Sequence, residues 1–168
     1  ALQTTDILPF LDLKVLRRKV EEGASPSSLL FTFEDRLFLP LSPVMFDERQ
    51  FNADLDELIE ALRNEGVLQQ VRFGLNNIGQ VSYFEERQLA CFFDIYLYLA
   101  NSEAANLALS MGLNLKGGYL WMERHEGDFS SWPFIPAIVE DSFKPPLFIS
   151  RSCFRRDSLM QSCEHCPH

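Results

Sequence analysis

The stretch NADLDELIEALRNEGVLQQVRFGLNN, Asn52 to Asn77, sets a helix directly before a strand, and the fold follows from that pairing. Leu55, Leu58, Ile59 and Leu62 recur at the spacing of one helical face. Acids crowd the first turn, where they complement the helix dipole, and Gly66 supplies the stop. Burying each of those four apolar side chains stabilises the fold by roughly 1.5 to 3 kcal/mol. VLQQVRFGLNN then reads as a strand.

Upstream, SLLFTFEDRLFLPLSP holds two β-rich runs, Leu29 to Phe33 and Leu37 to Leu41, separated by Glu34, Asp35 and Arg36, which is a hairpin pattern. Before it, LDLKVLRRKVEEG predicts a partly amphipathic helix on Leu11, Leu13, Val15, Leu16 and Val20, stopped by Gly23 and Pro26. Residues 1–28 therefore read as a leader helix and linker, and residues 29–168 as the main domain. Downstream the alternation continues. A short helix spans Ile78 to Gln88, CFFDIYLYLAN reads as a nearly continuous apolar strand, and SEAANLALSMG as a helix capped by Asn101 or Ser102 and ended by Gly112. GGYLWMER is a further strand, FSSWPFIPAIVED a helix interrupted by Pro133 and Pro136, and PPLFISRS a last strand.

Counted from Leu37, strands and helices alternate through five strands and four helices. Short helical crossovers of this kind build a parallel α/β sheet. The expected fold class is thus α/β, parallel (β/α) repeats preceded by a helix and a β-hairpin; both a small open sheet and the second half of an eight-stranded barrel fit the spacing.

Composition narrows the function. The 168 residues are 46% hydrophobic, with fifteen Phe, enough for one domain with a real core. A formal charge of -9 and a pI near 4.8 give the whole chain no nucleic-acid footprint, so an anionic substrate must be met locally. The basic cluster Arg151, Arg155 and Arg156 is the place for that, whereas Lys14, Arg17, Arg18 and Lys19 read as a solvated helix face. With neither a signal peptide nor an apolar run long enough for a bilayer, the chain reads as cytoplasmic. Closely spaced cysteines in that setting point to metal or redox chemistry rather than disulfides.

Function in parallel α/β folds collects at the carboxyl ends of the strands. Here those positions hold Asn76 and Asn77, Asn101 and Ser102, Glu123 and Arg124, and Ser150, Arg151 and Cys153. The asparagines also suit turns and helix caps, and Glu123 also suits an exposed ion pair. The tail carries the sharpest chemistry. Cys153, nine residues, Cys163, two residues and Cys166, with His165 and His168 beside them, match either a zinc site of three thiolates and one imidazole or a cluster with its fourth ligand elsewhere. The nearby arginines would lower the thiol pKa values. Reduced thiols on a chain end are the plain alternative. Cys91 opens an apolar strand and reads as core. No His-Glu-x-x-His helix, Gly-x-Ser-x-Gly elbow or Gly-rich phosphate loop occurs, and a Cys91–His125 thiol dyad has nothing in the spacing behind it.

These positions resemble the collagenase-like peptidase family U32. GLNNIG resembles its Asn and Gly after a strand, DIYLYLANSEAANLALSMG its strand with a terminal Asn-Ser before a small-residue helix, and GYLWMER its strand ending in Glu. PPLFISRSC and CEHC resemble its Ser-Arg-x-Cys strand and the close cysteines that follow it. The resemblance runs from about Leu37 to the end. It implies a TIM-barrel-like core of which this chain is the carboxyl-terminal half, completed by a missing half or by a second copy. It implies two activities: proteolysis, as the family name has it, or hydroxylation of RNA or a quinone precursor supported by a 4Fe-4S cluster. By carry-over, Cys153, Cys163 and Cys166 look like cluster ligands, the fourth lying outside this segment or at Cys91; with zinc, His168 completes the set. Glu123 and Arg151 are then candidate catalytic residues, and Asn77 and Asn101 candidate substrate-binding residues.

Overall fold

Asp47 opens the helix that the leucine spacing predicts. Its carboxylate accepts from the Gln50 amide at 3.1 Å, so the helix begins one turn before Asn52. In the computed structural model, which describes residues 12–33, 36–121, 132–133 and 137–138, this is α2, Glu48–Asn64. Gly66 follows with φ of 79°, a left-handed backbone that suits glycine, and turns the chain toward the next strand.

The remaining elements are α1, Leu13–Glu21; β1, Phe31–Phe33; β2, Arg36–Pro40; β3, Val71–Leu75; α3, Val81–Arg87; β4, Cys91–Phe93; α4, Ser102–Ser110; β5, Leu115–Tyr119; and β6, Ala137–Ile138. The six strands form one sheet in the order β1-β2-β3-β4-β5-β6. β1 and β2 make the expected antiparallel hairpin, and every later pairing is parallel. The fold is thus α/β, with (β/α) repeats behind a helix and a hairpin. Chain order and spatial order coincide, so each strand lies beside its predecessor, as in a segment of a (β/α) barrel.

Side-chain alternation tells the two sheet faces apart. Odd positions of the strands, Leu37, Leu39, Val71, Phe73, Cys91 and Phe93, join one buried cluster with Leu55, Leu58, Ile59 and Leu62 of α2, Tyr83 and Phe84 of α3, and Ala105 and Ala108 of α4. Leu13 and Leu16 of α1 belong to the same cluster, so the helix read as a leader packs into the domain core. Arg17 of α1 also reaches the buried Asp54 of α2 at 3.0 Å. All four helices therefore share one face. Even positions, Phe38, Arg72, Gly74 and Phe92, lie on the other.

Two sequence expectations are corrected here. The segment read as a Pro-interrupted helix supplies β6, whose Ala137 and Ile138 pair with Gly118 and Tyr119. Proline lacks the amide donor and clashes within a helix, so the two prolines of this segment oppose the expected helix. The run from Cys91 to Asn101 is not continuous either: β4 ends at Phe93, and Leu99 makes only an isolated parallel bridge with Leu120. The proposed last strand, PPLFISRS, lies outside the described residues. Among the described residues no helix is long and apolar enough to cross a membrane.

Candidate functional site

β4 ends because of its one acid. The Asp94 carbonyl accepts from the Leu97 amide at 2.9 Å, and its Oδ1 accepts from the Ile95 amide at 2.8 Å, a side-chain turn that takes the backbone out of the ladder. Asp94 is only 6% exposed. As an even position it shares with Phe92 the face away from the four described helices.

Asn76, the first residue after β3, stands next to it. Its Nδ2 donates to Asp94 Oδ2 and to the Leu41 carbonyl, both at 2.8 Å, and its Oδ1 accepts from the Tyr96 amide at 3.0 Å. One buried amide thus ties the carboxyl ends of β2, β3 and β4 together. The Asn76 and Asn77 amides both donate to Gln80 Oε1, at 2.9 and 3.1 Å, and Gln80 Nε2 donates to the Ser42 carbonyl at 2.9 Å. Every one of these buried groups is satisfied, as a polar network inside a core requires.

Gly74 makes room for the acid. A Cβ at that position would lie 2.6 Å from Asp94 Oδ2 and 2.7 Å from Phe92 Cζ, so carboxylate and ring rest directly on the β3 backbone. Phe92 is in turn flanked by Phe38, with ring centroids 5.8 Å apart, and by Tyr119 at 6.4 Å. At the rim, Tyr98 stacks on Trp121 at 6.2 Å.

Burial pushes the Asp94 carboxyl up to about 6, against the downward pull of its hydrogen bonds from Ile95 and Asn76. The Tyr96 phenol is raised as well, by burial and then by the charge of Asp94. The arrangement is a carboxylate held in one orientation, in a low-dielectric setting, able to exchange its proton near neutral pH.

The residues singled out from the sequence fall differently. Asn77 caps the short turn Ile78–Gln80: its Oδ1 accepts from the Gly79 amide and its Nδ2 donates to the Pro43 carbonyl, both at 2.8 Å. Asn101 is exposed and caps α4, its Oδ1 accepting from the Ala104 amide at 2.9 Å. These hydrogen bonds are those of turns and caps. Glu123, Arg151, Cys153, Cys163, Cys166, His165 and His168 lie outside the described residues. Cys91 sits in the helix-side core with its thiol pushed up to about 12 by burial, an environment that suits neither a thiolate ligand nor a nucleophile. Among the described residues no group of three or more His, Cys, Asp or Glu is placed to hold a metal ion.

Asp94 is the residue the sequence reading passed over. Its signal was available: a single acid inside an otherwise apolar run, at the last position before a strand gives way to a loop. A groove of about 400 Å³ lined by Ile78, Val81, Ser82, Glu85, Ser110 and Met111 carries no comparable chemistry. Comparison with family models, with curated proteins and with solved structures finds no match.

Proposed function

We propose that this chain is the carboxyl-terminal half of a U32-like (β/α) barrel within a longer, cytoplasmic protein that carries a 4Fe-4S cluster and supports hydroxylation of RNA or a quinone precursor. The observation that supports the reading is the arrangement of the described residues: five parallel strands laid down in chain order, the four described helices on one face, and polar groups at the strand ends on the other. In a barrel that second face is the interior, and the strand ends form its mouth.

The donor set in the sequence suits the cofactor. Three cysteines at Cys153, Cys163 and Cys166 would hold the cluster, which supplies electron-transfer chemistry when bound, and the core position of Cys91 favours a fourth ligand from another part of the parent protein. Glu123 and Arg151 would act at the same mouth. The protease reading of the family has less behind it, because the sequence shows no His-Glu-x-x-His helix and no Gly-x-Ser-x-Gly elbow.

Iron and acid-labile sulfide analysis with an absorption spectrum, on anaerobically prepared parent protein and its Cys163→Ser variant, tests this. Iron and sulfide present in the first and lost in the second is the expected result. Stoichiometric zinc unaffected by air would replace the cluster with a structural zinc staple, and absence of any metal would reopen proteolysis, for which Glu123→Gln is the variant to assay.

A further inference from the structure

Leu99 is 1% exposed and packs into the helix-side core, where its Cδ1 would meet a Cβ at Gly118 at 2.7 Å. Two hydrogen bonds hold it beside the end of β5. Its amide donates to the Tyr119 carbonyl at 2.7 Å, and its carbonyl accepts from the Trp121 amide at 3.1 Å. Side chains alternate along extended backbone, so Tyr98, just before Leu99, turns to the face away from the four described helices. Trp121 turns there too, two residues beyond Tyr119, whose ring meets Phe92 on that face.

This pair differs from the rings deeper in the sheet. Phe92 meets Phe38 at 72° and Tyr119 at 45°, inclined contacts of a filled core. Tyr98 and Trp121 lie 13° from parallel with ring centroids 6.2 Å apart. Near-parallel rings at that separation are offset, so each leaves part of its face uncovered by the other. Tyr98 is 45% exposed and Trp121 half-buried, so the pair reaches the surface where Phe92 does not.

Charge selects the occupant. The segment that carries Tyr98, from Asp94 to Glu103, holds two acids and no base, and the whole chain carries a formal charge of -9. Such a rim repels a phosphate backbone. It suits an uncharged ring, which stacking alone can hold.

We propose that Tyr98 and Trp121 form a stacking platform at the carboxyl ends of β4 and β5 for the uncharged planar ring of a small-molecule substrate, a phenol or quinone rather than a base of RNA. The inference rests on the proposed function for reading the strand ends as a mouth, and it deepens that reading by choosing between the two substrates.

The test uses the full chain with its two tryptophans, Trp121 and Trp132, replaced by 5-fluorotryptophan and followed by ¹⁹F NMR, the resonances being assigned with Trp121→Phe. Phenol is the probe, cyclohexanol the non-planar control of similar size, and octauridylate the RNA arm. A saturable shift of the Trp121 resonance with phenol is expected, with Trp132 unmoved and cyclohexanol much weaker. Affinity for phenol should fall about fivefold or more in Tyr98→Ala and persist in Tyr98→Phe, as loss of one stacking partner implies. A Trp121 resonance unmoved by saturating phenol overturns the inference, as does equal binding of cyclohexanol. Octauridylate binding more tightly than phenol, with an affinity that falls as salt rises, overturns the choice of an uncharged small molecule. The wild-type titration decides the matter even where a variant folds poorly. Iron content of the parent protein is read separately: phenol bound without iron removes the cluster and keeps the platform, and iron without bound phenol does the reverse.

Discussion

Asn76 donates a 2.8 Å hydrogen bond to Asp94 from the end of one parallel strand to the end of the next. The pair stands side by side because Leu75 and Phe93, the residues just before them, are in register across β3 and β4. Alternation then turns both side chains to the face away from the described helices, where the acid is buried and, among the described residues, no cation neutralises it.

That environment makes stability depend on pH. The Asp94 carboxyl titrates near 3.8 in an open chain and is pushed up to about 6 in the fold. Between those values the native state holds more protons than the unfolded state, so stability falls as pH rises through the window and levels off above it. A drop on the order of 2 to 3 kcal/mol from this group is expected. Urea unfolding at pH 4, 5, 6, 7 and 8 measures it, and Asp94→Asn should remove this part of the slope whatever it does to the absolute stability. A variant with the wild-type slope would show that another group titrates instead.

Gly74→Ala should destabilise the domain by about 1 to 3 kcal/mol, the usual cost of overpacking. The new methyl would come within 2.6 Å of Asp94 Oδ2 and 2.7 Å of the Phe92 ring, and Asp94 is held by Asn76 and Ile95 rather than free to swing away. Thermal melts of the two proteins give the comparison. An unchanged melting temperature would mean that the acid and the ring yield more readily than their contacts imply.

Cys91 should be inert to thiol reagents in the native chain. It is fully buried, and its thiol is pushed up to about 12, so almost none is thiolate at neutral pH. Native labelling with a chromogenic disulfide should therefore be the same in wild type and Cys91→Ala, with the difference of one thiol appearing only in denaturant. A native difference would place Cys91 at the surface.

The repeats were legible because the periodic segments are long and well punctuated. The α2 face of Leu55, Leu58, Ile59 and Leu62 and the stop at Gly66 leave little room for another reading, and the hairpin of β1 and β2 follows from two β-rich runs around a polar break. The break in the Cys91 to Asn101 run was hidden because Asp94 ends β4 through its own backbone and side-chain turn, which hydrophobicity does not register. Where a helix was expected before the last strand, Ala137 and Ile138 form β6, and the two prolines in that stretch of sequence oppose a helix more than the apolar content favours one. At the site, Asn77 and Asn101 drew notice as strand-end polar groups and are cap residues here, while Asp94 was masked by its apolar neighbours.

The strand order has a consequence for how such a chain can be made. Because space follows sequence from β1 to β6, every described strand after the first pairs with one that precedes it directly in the chain, and no later strand has to insert between two earlier ones. The hairpin of β1 and β2 is complete first and closes one side with a strand of opposite direction, so parallel growth proceeds outward from the other side only. The brace from Asn76 to Asp94 joins residues that all precede α4 and β5 in the chain, so three strand ends can be tied together without waiting for those later elements to pack.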